Sequence, residues 1–127
     1  MKIIISNTSD SPIYQQIKEQ IKDAILYGEL KEGELLPSIR ALANDLRVSV
    51  LTTRRVYDEL ESEGFITTKA GKGSFVAKEN LELLLESRRH MVEVKLTEAW
   101  NAACSLGISK EELISMMGLL FEEGENE

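Results

Sequence analysis

Residues 36–77, LPSIRALANDLRVSVLTTRRVYDELESEGFITTKAGKGSFVA, constrain this chain more than any other stretch. They read as two helices joined by a tight turn and followed by a glycine-tipped β-hairpin. Ser38 is placed to cap the first helix, 39–46, whose apolar side is Leu42, Ala43 and Leu46. Arg47-Val48-Ser49 forms the turn, with Val48 expected as a buried plug between the helices. Ser49 caps a second helix over about residues 50–63, which stops at Gly64. Residues 65–68 are β-prone, 69–73 tolerate positive φ, and 74–77 return as the second strand. Phe65 and Phe75 are expected in the core, holding the hairpin on the helices.

Helical geometry assigns faces to the second helix. At about 100° per residue, Thr53, Val56, Tyr57 and Leu60 share one side, which must pack on the other helices. Leu51, Arg55 and Asp58 then lie nearly opposite, with Thr52 and Arg54 on the flanks. An exposed leucine at a helix tip is either an ordinary surface residue or a contact for a thymine methyl in the DNA major groove. Arg54 and Arg55 are placed to reach guanine edges or phosphates. Ser38, Ser49 and Thr52 can offer hydroxyls to phosphates near helix N-termini, where backbone N–H groups already favour anions. Lys72, between Gly71 and Gly73, can reach a minor groove or the DNA backbone. The order helix, turn, helix, hairpin is that of a winged helix-turn-helix, which sets one helix into the major groove.

Net charge tests that reading, because −7 over 127 residues is unpromising for a DNA binder. The distribution resolves the difficulty. Residues 80–127 hold 4 basic and 10 acidic side chains, whereas 11–79 hold 10 and 11. Between Arg47 and Tyr57 there are three arginines and no acid. Phosphate binding needs a local positive surface, not a basic protein. No apolar run approaches the roughly 20 residues that span a bilayer, and MKIIIS is too short for a signal-peptide core. A lone cysteine, Cys104, excludes an intrachain disulfide and fits a reducing compartment, so a cytoplasmic protein is expected.

Before the winged segment, residues 2–5 are β-prone and suit a short edge strand. Asp10 or Ser11 can cap a helix with Pro12 at its first position, and Ile13, Ile17, Ile21, Ala24 and Ile25 recur on one face up to a stop at Gly28. KEGELLP, 31–37, reads as a turn-rich connector. After it, 78–80 is the expected boundary between a DNA-binding domain at 1–79 and a helical region at 80–127. That region holds an amphipathic helix over about 80–104 and another over about 110–123, the latter with a capping box at Ser109 and Glu112. Leu113, Met116, Met117 and Leu120 form its apolar side, and the tail 122–127 is expected to fray. Forty-eight residues are too few for a separate effector domain, so the apolar stripe of Leu84, Val92, Leu96, Ala99, Trp100 and Ala103 is expected to pair with a second copy. His90 and Cys104 lack metal-ligand spacing. No catalytic constellation, cofactor motif or metal site is evident, and Asp58, Glu59, Glu61 and Glu63 read as a solvated face.

At PIYQQI, LPSIRALA, VSVLTTRRVYDELESEGFI and GKGSFVA the chain resembles the GntR family of bacterial transcription regulators, in order and at the right distances. Its short C-terminal part looks like the YtrA subfamily. The resemblance implies a fold that is mostly α with a small β-hairpin wing, a homodimer, and a palindromic double-stranded DNA operator, typically of a transporter operon. It points to Arg40, Ser49, Val50, Leu51, Thr52 and Arg54, and to Ala70, Gly71 and Lys72 at the wing tip. Many family members carry arginine and threonine where this chain has Val50 and Leu51, which implies a shifted operator sequence. A small-molecule effector is compatible with the family, but nothing in the sequence marks a pocket. The alternative from another class is a winged protein-interaction module whose working surface is the acidic helices. The acid-free arginines of 47–57 argue against it.

Overall fold

A computed structural model describes residues 1–78 and 81–125. Its elements are α1 (Ile13–Leu26), α2 (Ile39–Leu46), α3 (Val50–Ser62), β1 (Ile66–Lys69), β2 (Gly73–Val76), α4 (Leu81–Leu106) and α5 (Lys110–Glu125). The chain divides into two compact units, Met1–Leu85 and Glu86–Glu127. Of the boundary expected at 78–80, residues 79 and 80 lie outside the described residues. The tail expected to fray is helical as far as Glu125, and 126 and 127 are likewise outside.

The first unit is organised around α3, which packs on both α1 and α2. Ile17 and Ile21 of α1 and Thr53, Val56 and Leu60 of α3 have no exposed surface. Ile13, expected on the same face, is 40% exposed because α1 begins there. Neither Asp10 nor Ser11 caps α1. Pro12 occupies the capping position, and its carbonyl accepts from the Gln16 N–H at 3.1 Å. Val48 is half-buried rather than a fully buried plug. The Tyr57 hydroxyl donates to the Pro37 carbonyl at 2.6 Å, tying α3 to the turn before α2, and burial pushes its pKa up to about 12.

Residues 2–5 form no strand. They are held instead by two glutamines one helical turn apart on α1. Gln20 accepts from the Ile4 N–H at 2.9 Å and donates to the Ile4 carbonyl at 2.6 Å. Gln16 accepts from the Ser6 N–H at 2.8 Å and donates to the Ser6 carbonyl at 3.0 Å. Two side-chain amides thus supply the hydrogen bonds that a neighbouring strand would otherwise give.

The hairpin pairs Ile66 with Val76, Thr67 with Phe75, Thr68 with Ser74 and Lys69 with Gly73. Each strand sits one residue off its expected bounds. Phe65 is buried and Phe75 half-buried, so only the first is a core residue. The connector before α2 does more than turn. Leu35 bridges Phe75, the Leu36 N–H donates to the Ser74 carbonyl at 2.8 Å, and the Val76 N–H donates to the Glu34 carbonyl at 2.9 Å. β2 is therefore bonded on both edges, which protects a two-stranded wing that would be marginal alone.

A charged seam joins α1 to α3 beside the apolar one. Lys18 bonds Glu59 at 3.0 Å and also Glu63, and Lys22 reaches Glu63 at 3.2 Å. Hydrogen bonds from Arg55 and Lys18 hold the Glu59 carboxyl below its ordinary value. Burial pushes Glu63 up, but Lys18 and Lys22 outweigh it and the net direction is down. Its hydrogen bond to Glu63 raises Lys18, against partial desolvation.

Two tests follow from this packing. Tyr57→Phe leaves the Pro37 carbonyl without its donor, and urea unfolding should show a loss of about 1–2 kcal/mol. The carboxylates' contribution is complete above their ordinary 4.5 and lost as pH falls through their lower folded values. That of Lys18 is complete below 10.5 and lost as pH rises through its higher folded value. Thermal melts should therefore show a plateau between these limits, and Glu63→Gln should flatten the acid limb.

Candidate nucleic-acid interface

Two helix N-termini define the first part of the interface. Ser38 caps α2 by accepting from the Ala41 N–H at 3.1 Å. Ser49 caps α3 by accepting from the Thr52 N–H at 2.9 Å, and its own hydroxyl donates to Thr52 Oγ1 at 2.8 Å. The hydroxyl hydrogens of Ser38 and Thr52 are left to donate outward. Neither helix carries an acidic residue in its first turn, so the positive ends of both dipoles are uncompensated. An anion such as a phosphate suits both positions.

The faces of α3 divide as helical geometry requires. Thr53, Val56, Tyr57 and Leu60 are its buried residues. Leu51 is 76% exposed, and Val50 beside it is 38% exposed. Arg40 and Arg54 are exposed, and no hydrogen bond, ion pair or ring contact among the described residues engages either guanidinium. Arg55 differs. Its guanidinium carbon lies 3.5 Å from the centroid of the Tyr14 ring, and its Nε bonds Glu59 at 2.8 Å. The residue expected to share the DNA-facing side with Arg54 is thus turned toward α1, where an aromatic face and a carboxylate meet its charge. Sequence periodicity places Arg55 opposite the core but cannot register that α1 rises along that flank.

The wing forms the second part. Gly71 has φ 74° and Gly73 φ 111°, backbone that side chains rarely permit. A Cβ at Gly73 would also lie 3.1 Å from Leu35 Cδ1, so this glycine serves both the turn and the packing of the connector. Between them the Lys72 N–H closes the turn on the Lys69 carbonyl at 2.9 Å, leaving its exposed ammonium free among the described residues. Lys69 is anchored differently, over the Phe75 ring at 5.2 Å.

In the helical region, Leu84 is half-buried, while Val92, Leu96, Ala99 and Trp100 are exposed. Ala103 is already covered within its own unit, at 3% exposure, where the Ile108 N–H closes the turn after α4 on its carbonyl at 2.8 Å. Ile114, Leu119, Leu120 and Phe121 of α5 are exposed as well. The Ser109 cap forms as expected, accepting from the Glu112 N–H at 3.1 Å. Among the described residues no cluster of His, Cys, Asp and Glu is arranged to hold a metal ion. No helix among them is long and apolar enough to cross a membrane.

Comparison with known proteins agrees with this geometry. The profile described as "Bacterial regulatory proteins, gntR family" matches residues 13–76, which run from the start of α1 to the end of the wing. The HTH-type transcriptional repressor YtrA of Bacillus subtilis is 35% identical over 87% of this chain and 85% of its own. A GntR family transcriptional regulator from Listeria monocytogenes superposes with a TM-score of 0.71 at 31% identity, covering 90% of this chain and 97% of that one. The DNA-binding domain of AraR, solved in complex with operator ORR3, matches with a TM-score of 0.52 at 28% identity over 61% of this chain and 93% of its own.

The two adjacent arginines should separate on stability. Arg55→Ala loses the stack on Tyr14 and the bond to Glu59, and should lower unfolding free energy by about 0.5–1 kcal/mol. Arg54→Ala should stay within about 0.5 kcal/mol of the parent in the same urea titration.

Proposed function

We propose, from the premise that the chain belongs to the gntR family of bacterial regulatory proteins, that it is a homodimeric repressor of a palindromic operator. DNA-binding transcription regulation is the family's business, and its relatives are regulators rather than enzymes. The observation that carries the finer reading is the division of α3. One side is wholly consumed by the core, while the N-terminal turn presents Leu51, Thr52 and Arg54, and no described residue engages the Arg54 guanidinium. Arg54 reads a base edge or grips a phosphate. Ser38, Arg40, Ser49 and Thr52 hold the flanking backbone, and Lys72 at the wing tip holds the next groove. Arg55 is a positioning residue that keeps α3 set against α1.

Dimerisation rests on the helical region. Val92, Leu96 and Trp100 of α4 and Leu120 and Phe121 of α5 are each about half exposed or more. Several uncovered large apolar side chains on each helix mark an interaction face, and a second copy is the simplest occupant under two-fold symmetry. The pairing of copies would set the separation of operator half-sites. Likeness to the transcriptional repressor YtrA supports repression as the sign of regulation; a transporter operon as the target and a cytoplasmic setting belong to the same proposal.

Val50 and Leu51 replace hydrogen-bonding side chains with an apolar tip, which suits a thymine methyl. Fluorescence anisotropy with the protein's own promoter should give sequence-dependent binding that weakens steeply with salt. Indifference to sequence, together with a flat salt response, would remove the reading. Arg54→Ala should cost about 1–3 kcal/mol of binding. Replacing the contacted thymine by deoxyuridine should weaken binding of the parent but not of Leu51→Ala. In sedimentation, Leu96→Asp should raise the dimer dissociation constant by at least about tenfold.

A further inference from the structure

α1, α3 and α4 are each followed by a glycine in the left-handed region, Gly28 at φ 82°, Gly64 at φ 86° and Gly107 at φ 74°. α2 ends the same way but with Arg47 at φ 57° and ψ 44°, the only non-glycine residue of positive φ among the described residues. The hydrogen bonds are those of a glycine-terminated helix. The Arg47 N–H donates to the Asn44 carbonyl at 3.3 Å, and the Val48 N–H to the Ala43 carbonyl at 3.0 Å. An L-residue with a Cβ is disfavoured in this region by contact between that Cβ and the following carbonyl, and glycine would make both bonds without that contact.

Among the described residues no contact of the side chain repays the strain. The Arg47 side chain is exposed, and no hydrogen bond, ion pair or ring contact engages it among the described residues. Non-glycine residues in sparsely populated backbone regions cluster where an external contact needs them. Arg47 lies two residues before the Ser49 cap of α3, so two Cα steps of about 3.8 Å separate it from the helix end assigned to the groove. Its backbone therefore lies close to the N-terminus of α3, whose first turn carries no acidic residue.

We infer that Arg47 is a phosphate anchor, binding a backbone phosphate that flanks the half-site read by α3, and that the arginine is kept there against the conformational preference of the turn. The inference rests on the operator-binding reading above. A phosphate takes two parallel N–H donors from a guanidinium, and such a contact adds affinity without sequence information.

The test uses the full chain and a duplex selected from random sequence with the parent protein. Arg47→Gly should melt higher than the parent, by about 2–5 °C, because the turn relaxes. It should bind selected and scrambled duplexes alike about three- to tenfold more weakly, with the slope of log K against log salt shallower by about 0.9. Arg47→Lys should restore that slope without the rise in melting temperature. If Arg47→Gly binds with the parental affinity and slope, the anchor is refuted even though the protein binds DNA. If it melts lower, the turn is not strained and the argument fails at its first step. If the parent selects no duplex at all, the operator reading falls, and this inference with it.

Discussion

Everything at the reading end of this protein depends on the back of α3 being buried. Thr53, Val56 and Leu60 have no exposed surface, and α1 supplies Ile17 and Ile21 to meet them. A helix so fixed along one side cannot roll, so the orientation of its other side is set by packing rather than by contacts to DNA. The polar member of the buried set is satisfied locally. Thr53 Oγ1 donates to the Ser49 carbonyl at 3.2 Å, so its hydroxyl adds no unpaired group to the core. The ions flanking this seam refine the orientation. Lys18 and Lys22 grip the far end of α3 through Glu59 and Glu63, while Arg55 lies on Tyr14 nearer its start.

Much of the first unit was legible because its local signals agree with one another. Ser38 and Ser49 both cap where their spacing from Leu42 and Thr53 predicts, and Gly64 ends α3 where the apolar period stops. Such agreement between propensity, capping and pattern is what makes a sequence readable. Three of the misreadings share a cause, which is that they concern partners distant in the chain. Nothing within 31–37 announces that Leu35 will bridge Phe75, forty residues later. Residues 2–5 have strand propensity, but the partner that claims their backbone is a pair of glutamine side chains on α1, which no strand rule anticipates. Arg55 and Arg54 look equivalent by charge and differ only in which neighbour rises beside them.

The second unit shows the opposite balance. Its helices were readable from periodicity, and Ser109 caps α5 as its sequence implies. Yet most of the large apolar side chains of α4 and α5 remain open. An apolar stripe states that something covers it without stating what does.

The glutamine clasp at the start of the chain has a consequence for how sequence is free to vary. Four residues along a helix advance about 6 Å and two along an extended strand about 6.6 Å, so Gln16 and Gln20 match the backbone groups of residues two apart. At Ile4 and Ser6 the clasp engages main-chain groups alone. The side chains of residues 4 and 6 can therefore drift almost without penalty, whereas inserting a single residue between them would break the match. At these two positions length carries the information and composition carries very little.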